Sequence, residues 1–432
     1  MANLLWQSDG TSLDERIMQF LAGEDVTLDQ QLFLFDVRAT QAHVRGLESI
    51  AVLTAQECGT LCDTLDVIAA DFVSGKLTLT SEFEDGHSAI EHWLTERIGE
   101  LGGKVHTGRS RNDQVLVATR LFMLHSLAEL KQLSVASAAI CLARAEKGMD
   151  QPMPGYTHLQ RAVVSSVGMW FAAFAEAFVD NAELASQTAQ WISSNPLGTA
   201  AGYGVNLPLD RALTTRELGF ERLQVSPIYA QNSRGKFELQ ALSAFSQALL
   251  DVRRLAWDLS VFTTAEFDFV SLPDTYTTGS SIMPNKRNPD VIELLRAAFG
   301  VVDGAMTELT ANLSLPSGYH RDLQNTKGPL LRAVQHALGA LRLMPELLET
   351  VTFNVETMSK AMDRGMFATD IAVELAAKNI PFRQAYRLVK EGLDEIDDLS
   401  PSDSLNKRVS PGGAADLRLD LIQARLNTLV EH

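Results

Sequence analysis

The sequence predicts an all-α protein built around a bundle of long helices and flanked by two smaller, mainly helical domains. Three observations carry this. Five long stretches show helical periodicity, apolar residues recur along them at three- and four-residue steps, and alternating strand patterns are almost absent. At 432 residues the chain exceeds the usual size of a single core, so more than one domain is expected.

In chain order, residues up to about 107 read as an N-terminal domain of shorter helices, 108–355 as the long-helix domain and 356–432 as a small C-terminal domain. Gln114 to Glu146 contains no Gly or Pro, and Leu121, Leu124, Leu127, Leu130 and Leu133 recur at helical spacing. One unbroken helix there would be about 50 Å long. Arg161 to Ser194 is the second long stretch, with one glycine and no proline. Its Trp170, Phe171, Phe174 and Phe178 make it apolar on more than one side, which calls for partners along its length, most economically in a bundle shared between subunits. Gly235 to Phe269 and Asp290 to Leu315 follow. Thr326 to Thr352 is less regular, because Pro329 and Pro345 interrupt it. Ser410-Pro411-Gly412-Gly413 marks a turn before a final helix.

Composition narrows the function classes. The chain is 46% hydrophobic and 21% charged, ordinary for a globular protein. Its net charge of −17 argues against a nucleic-acid or anionic-membrane partner, although a few concentrated cations can still bind an anionic substrate. Three cysteines, Cys58, Cys62 and Cys141, give no disulfide framework and suit a reducing, cytoplasmic compartment. Cys58 and Cys62 read as thiols on one helix rather than as a metal site. The N-terminus, Met1 to Asp9, lacks the cationic and apolar regions of a signal peptide. The apolar run Val163 to Ala175 is too short to span a bilayer.

The richest segment is Thr277-Thr278-Gly279-Ser280-Ser281-Ile282-Met283-Pro284-Asn285-Lys286-Arg287-Asn288-Pro289-Asp290. Hydroxyls, cations, amides and a glycine make poor core and a good anion-handling loop, and the flanking glycine suggests a lid. Pro289 fits the first turn of a helix capped by Asn288, whose positive end points back at the loop. His106-Thr107-Gly108-Arg109-Ser110-Arg111-Asn112-Asp113-Gln114 gathers donors suited to carboxylates in a turn leading into a helix, where a plain N-cap with solvated arginines is the alternative. Pro154-Gly155-Tyr156-Thr157-His158-Leu159-Gln160 places a histidine between a Gly/Pro turn and a helix. Glu84-Asp85-Gly86-His87 and Ser317 to Lys327 are weaker and read equally well as solvated loops. The glycines Gly198, Gly202 and Gly204 miss the dinucleotide-binding spacing, and His87 to His92 misses the zinc spacing by one residue.

Taken together, these segments resemble the fumarase/aspartase superfamily and, within it, the argininosuccinate lyases. The Gly279 to Pro289 loop is similar to the superfamily signature, the His106 to Gln114 segment is more discriminating, and the Pro154 to Ala162 and Tyr319 to Lys327 segments also resemble the argininosuccinate lyases. The resemblance runs from about Leu28 to Gly413. It implies a homotetramer with a twenty-helix core and active sites shared between subunits, no metal or organic cofactor, and elimination of fumarate from argininosuccinate to release arginine.

By the same resemblance Ser280 is the general base, with its alkoxide stabilised by Lys286 and a helix N-terminus, and His158, held by Glu293, protonates the leaving guanidine. Ser110, Arg111, Asn112, Thr157, Lys286 and Asn288 would bind the succinyl carboxylates. Tyr319, Gln324 and Lys327 would hold the arginine part, with His87 and Arg234 in support. The chain departs from the family at Asn285 and Arg287, where glutamine and lysine are common, and at Gly86, where an apolar residue is usual. It also has an acid at Asp25, where a substrate-touching serine is often found. A sister lyase acting on another succinyl-amine adduct, and a silent crystallin-like relative, are the alternatives.

Overall fold

The computed structural model of the chain describes residues 20, 23–80, 82–313, 315–393 and 400–430; the segment Met1 to Asp9 lies outside them. It is 68% helical with a few short strands, so the all-α expectation holds. Two compact units divide the chain. One comprises Met1–Glu129, Ala185–Phe245 and Val301–His336, the other Leu130–Leu184, Ser246–Gly300 and Ala337–His432.

The first unit opens with helices α1 (Asp25–Ser49), α2 (Ala55–Val73) and α3 (Gly86–Ile98). Reciprocal capping boxes start two of them: Thr54 with Glu57 on α2 and Asp85 with Ser88 on α3. Their apolar faces meet in a core that includes Phe33, Leu47, Leu61, Leu65, Ile68, Trp93 and Leu94. Cys58 and Cys62 share α2, the first buried and the second half-buried. Along α1 the buried face is not purely apolar: Asp29, Asp36, Thr40 and His43 are buried on it as well.

Helix α4 (Arg111–Lys147) confirms the first long stretch and extends it at the N-terminus. Ser110 caps it, its hydroxyl accepting from Asn112 N–H at 3.3 Å, while Asp113 Oδ1 accepts from Ser110 N–H at 3.0 Å. The other oxygen of the fully buried Asp113 receives the N–H groups of Gly198 and Ala200 at 2.9 and 3.0 Å, which ties the loop after residue 195 to this helix start. Further on, buried Arg120 donates to the carbonyls of Ile192 and Ser194 at 2.9 and 3.0 Å and stacks over Phe237. By length and composition alone α4 could cross a membrane, a test that buried core helices also pass.

The second unit corrects one expectation. Pro152–Thr157 (β1) and Gln160–Ser166 (β2) form an antiparallel hairpin, so Arg161 to Ser166 is strand and helix α5 starts only at Val167, running to Ile192. The hairpin's two-residue connection, His158-Leu159, has φ of +54° and +56°, the geometry that matches strand twist. Gly155 is required beside it, since a Cβ there would lie 2.8 Å from Val163 O. Gly168 is required at the start of α5, where a Cβ would lie 2.6 Å from Ala145 O. Two prolines in β1 and the absence of clean alternation hid this ribbon from a periodicity reading.

The other long stretches appear as α6 (Lys236–Phe262), α7 (Asp290–Ala311) and α8 (Lys327–Leu341). Pro329 sits in the first turn of α8, where its missing N–H is harmless, and Pro345 opens the separate helix α9 (Met344–Thr350). Shorter helices follow: α10 (Ala368–Ala377), α11 (Phe382–Glu391) and α12 (Leu419–Val430), the last after a turn in which Gly412 has φ +84°. Val164 of the hairpin packs with Met366, Phe367, Leu405 and Ala414.

Replacing Asp113 by alanine would leave the buried N–H groups of Gly198 and Ala200 unmet and remove the acceptor of the Ser110 N–H. The expected loss is about 2–4 kcal/mol in urea unfolding, whereas Asp113→Asn, which keeps one acceptor, should lose less.

Candidate active site

The residues singled out in the sequence fall into two groups, one in each unit. In the first unit α1 is the organising element. Asp25 and Asp29, four residues apart on α1, both accept from Lys327 Nζ, at 2.7 and 2.6 Å. Asp29 also takes the N–H of Gly86 at 2.9 Å, and Asp25 takes Gln324 Nε2 at 2.7 Å. Arg234 Nε donates to Thr326 Oγ1 at 3.3 Å, joining a further predicted residue to the same turn. Tyr319 is half-buried in the preceding loop, whose Gly318 N–H donates to Asn232 Oδ1 at 2.9 Å.

The donor turn before α4 joins this group from the other side. Arg111 Nη1 pairs with Glu84 Oε2 at 2.6 Å and its Nε with Asp85 Oδ2 at 3.5 Å. His87 Nδ1 hydrogen-bonds Asp36 Oδ2, while Arg109 Nη2 lies 3.7 Å from Asp36 Oδ1. The arginines are therefore paired and at least half-buried rather than solvated. Ser110 acts as helix cap and Asn112 lies in the first turn of α4, where backbone N–H groups favour an anion.

The electrostatics follow from burial and pairing. Burial would push the Lys327 ammonium down, but Asp29 and Asp25 outweigh it and its pKa is raised. For Asp25 burial wins over Lys327, and the carboxyl is raised. For Asp85 the charges of His87 and Arg111 overcome burial and hold the carboxyl below its usual range. His43, seven residues beyond Asp36, is pushed down to about 3 by burial and by Arg109, although its Nε2 hydrogen-bonds Thr107 O at 2.9 Å.

In the second unit the signature loop is closed at its base. Thr278 pairs with Asn288 and Gly279 with Arg287 as a two-residue antiparallel ladder, β3 (Thr278–Gly279) and β4 (Arg287–Asn288). Thr278 Oγ1 also donates to Asp290, and the Arg287 guanidinium to Asp274. Arginine at this departure from the family pattern thus has a local partner. Asn288 is in the ladder rather than capping α7. The first intrahelical bond runs from Glu293 N–H to Pro289 O at 3.0 Å, so the cap falls on Pro289, one residue later than expected.

Within the loop Ser280 Oγ accepts from the N–H groups of Ile282 and Met283 at 3.3 and 3.1 Å, and Lys286 is exposed. His158 is exposed at the hairpin turn beside Thr157. Glu293 lies 3.8 Å from Arg296, one turn along α7, and among the described residues forms no hydrogen bond with His158.

The sequence reading left out the buried polar residues of α1. Asp29, Asp36 and His43 recur at seven-residue steps on α1, a polar line within an amphipathic helix, and that spacing was the available signal. Asp25 was noted only as a departure. Among the described residues no group of three or more His, Cys, Asp or Glu side chains is placed to hold a metal ion.

This predominantly helical fold, with its exposed loop between Thr278 and Asn288, defines a class. Residues 14–304 match the family described as lyase, the fumarase/aspartase type. A crystal structure of EDDS lyase in complex with formate matches with a TM-score of 0.79 at 23% identity, covering 98% of this chain and 92% of that one. Over 430 residues the chain is 56% identical to the argininosuccinate lyase of Xanthomonas axonopodis pv. citri and 57% identical to that of Stenotrophomonas maltophilia. In both cases 99% of this chain and 100% of the relative are covered. The chain belongs to the argininosuccinate lyase family.

A pH effect on stability follows from His43. Its folded pKa, about 3, lies below the unfolded value of about 6.5, so its contribution is present above pH 6.5 and is lost as pH falls toward 3. The stability difference between the wild type and His43→Gln should therefore shrink from pH 7 to pH 4.5. Urea midpoints across that range would read it, with a change on the order of 1–3 kcal/mol.

Proposed function

We propose that the protein eliminates fumarate from argininosuccinate, releasing arginine, with Ser280 as the base that takes the proton next to a succinyl carboxylate. The observation that carries this reading is the pair of backbone N–H groups directed at Ser280 Oγ. A serine is a feeble base unless its alkoxide is stabilised, and fixed dipoles do this at no reorganisation cost. Lys286, six residues on, adds a positive charge to the same loop.

The first-unit cluster suits the substrate's other parts. Arg111, Asn112 and the α4 N-terminus would hold carboxylates. Lys327 stands between two carboxylates, so the subsite it shares with Asp25, Asp29 and Gln324 is net anionic and fits the zwitterionic end of an arginine part. Asp25 in place of a serine strengthens that preference for a cation.

His158, Thr157, Asn288 and Glu293 complete the proposal as acid, carboxylate binders and orienting group. The exposure of Thr157, His158 and Glu293 suits a site completed by other copies in a homotetramer in the cytoplasm. The boundaries near residues 107 and 355 are part of the same reading, supported on the N-terminal side by the core drawn largely from α1 to α3.

Fumarate's ultraviolet absorbance gives the test. Wild-type protein should generate it from argininosuccinate, and Ser280→Ala should lower kcat by two or more orders of magnitude with the unfolding midpoint unchanged. Equal rates for the two proteins would reject Ser280, and turnover of adenylosuccinate instead would move the substrate to a sister lyase. If sites are shared, co-refolding inactive Ser280→Ala with inactive Lys327→Met chains should restore measurable turnover, because some mixed sites then carry neither substitution.

A further inference from the structure

Asp36 sits on α1, 2% exposed, and His87 is the second residue of α3, 8% exposed. The His87 Nδ1–H donates to Asp36 Oδ2, which fixes both the ring plane and the position of one proton. The other ring nitrogen, Nε2, is buried and has no hydrogen-bond partner among the described residues. Neighbouring acids are matched: Asp29 by Gly86 N–H and Lys327, Asp85 by Ser88 N–H and Arg111. Leaving a buried polar atom unmet is destabilising, so a rigidly held one is a standing offer to a ligand group.

The charged surroundings fix the kind of acceptor. Asp29 and Asp36 act on the ring from α1, Asp85 from the turn before α3 and His106 from the segment leading into α4, where Arg109 lies against Asp36 and Arg111 against Asp85. Burial would push the imidazole down, but Asp36, by charge and hydrogen bond, with Asp85 and Asp29, raises its pKa above the usual value. With Nδ1–H held by Asp36, protonation of the ring makes Nε2–H a charge-assisted donor, and Asp36 favours that charged form.

We propose that Asp36 is a positioning residue for the reaction: it holds His87 so that Nε2–H points at a carboxylate of the substrate, beside Arg111. This rests on the lyase reading above. Asp36 touches no substrate itself, and its effect passes through the imidazole.

The test compares wild type, Asp36→Asn, His87→Gln and the double variant. Because Asp36 favours the charged imidazole, Asp36→Asn should lower kcat/KM by roughly tenfold to a hundredfold, with a larger loss at pH 8 than at pH 6. His87→Gln should show a loss independent of Asp36, so that the double variant matches it. A loss equal at both pH values, or additive with His87→Gln, would make Asp36 merely structural and overturn the proposal. If Asp36→Asn does not fold, His87→Gln decides alone: an alkaline limb unchanged from wild type would sink the idea. Calorimetric titration with fumarate at pH 6 and 8 reads the same donor without turnover. Failure to turn over argininosuccinate would reject the lyase reading, whereas equal, pH-insensitive fumarate affinity in wild type and Asp36→Asn would reject this one.

Discussion

A buried carboxylate must find a cation or several donors, and α1 carries such carboxylates at Asp29 and Asp36, with Asp25 at its start. Unpaired, each would cost several kcal/mol. In a chain with 54 acids and 37 lysines and arginines, the pairing groups come from segments far apart in sequence: Lys327 with Asp25 and Asp29, Gly86 N–H with Asp29, His87 and Arg109 with Asp36. That single demand draws residues 25–36, 84–87, 109–113 and 324–327 together. The convergence that satisfies stability is also what gathers the polar groups proposed to hold substrate.

The signature loop obeys a different logic. It is largely exposed, and its order at the base is local: a two-residue ladder, Thr278 on Asp290, and Arg287 on Asp274. Only the loop's own backbone is needed to aim two N–H groups at Ser280 Oγ. The proposed base therefore sits in short-range geometry, whereas the cluster proposed to hold substrate depends on long-range charge pairing.

Long-period features were legible in the sequence. Uninterrupted heptad-like leucines dictated α4, Pro345 marked the break before α9, and the Ser110 and Asp113 positions announced a helix start. The β1–β2 hairpin was not legible, because its prolines and its positive-φ pair His158-Leu159 mimic a loop and no glycine marks the two-residue connection. Nor were the partners of Arg109 and Arg111, since a guanidinium in a turn looks the same whether solvated or buried against acids 26, 27 or 73 residues away.

By itself the sequence determined the helical class, the positions of the reactive loops and the chemical character of Ser280, Lys286 and Arg111, because periodicity, capping and side-chain chemistry are local properties. Tertiary structure alone decided which charges meet. It made Asp25 a partner of Lys327 and Gln324, made Asp36 the holder of His87, and placed His43 where burial and Arg109 keep it neutral. Those outcomes depend on burial and on distances between segments up to roughly three hundred residues apart, and Coulomb energy and desolvation are set by such distances rather than by neighbours along the chain.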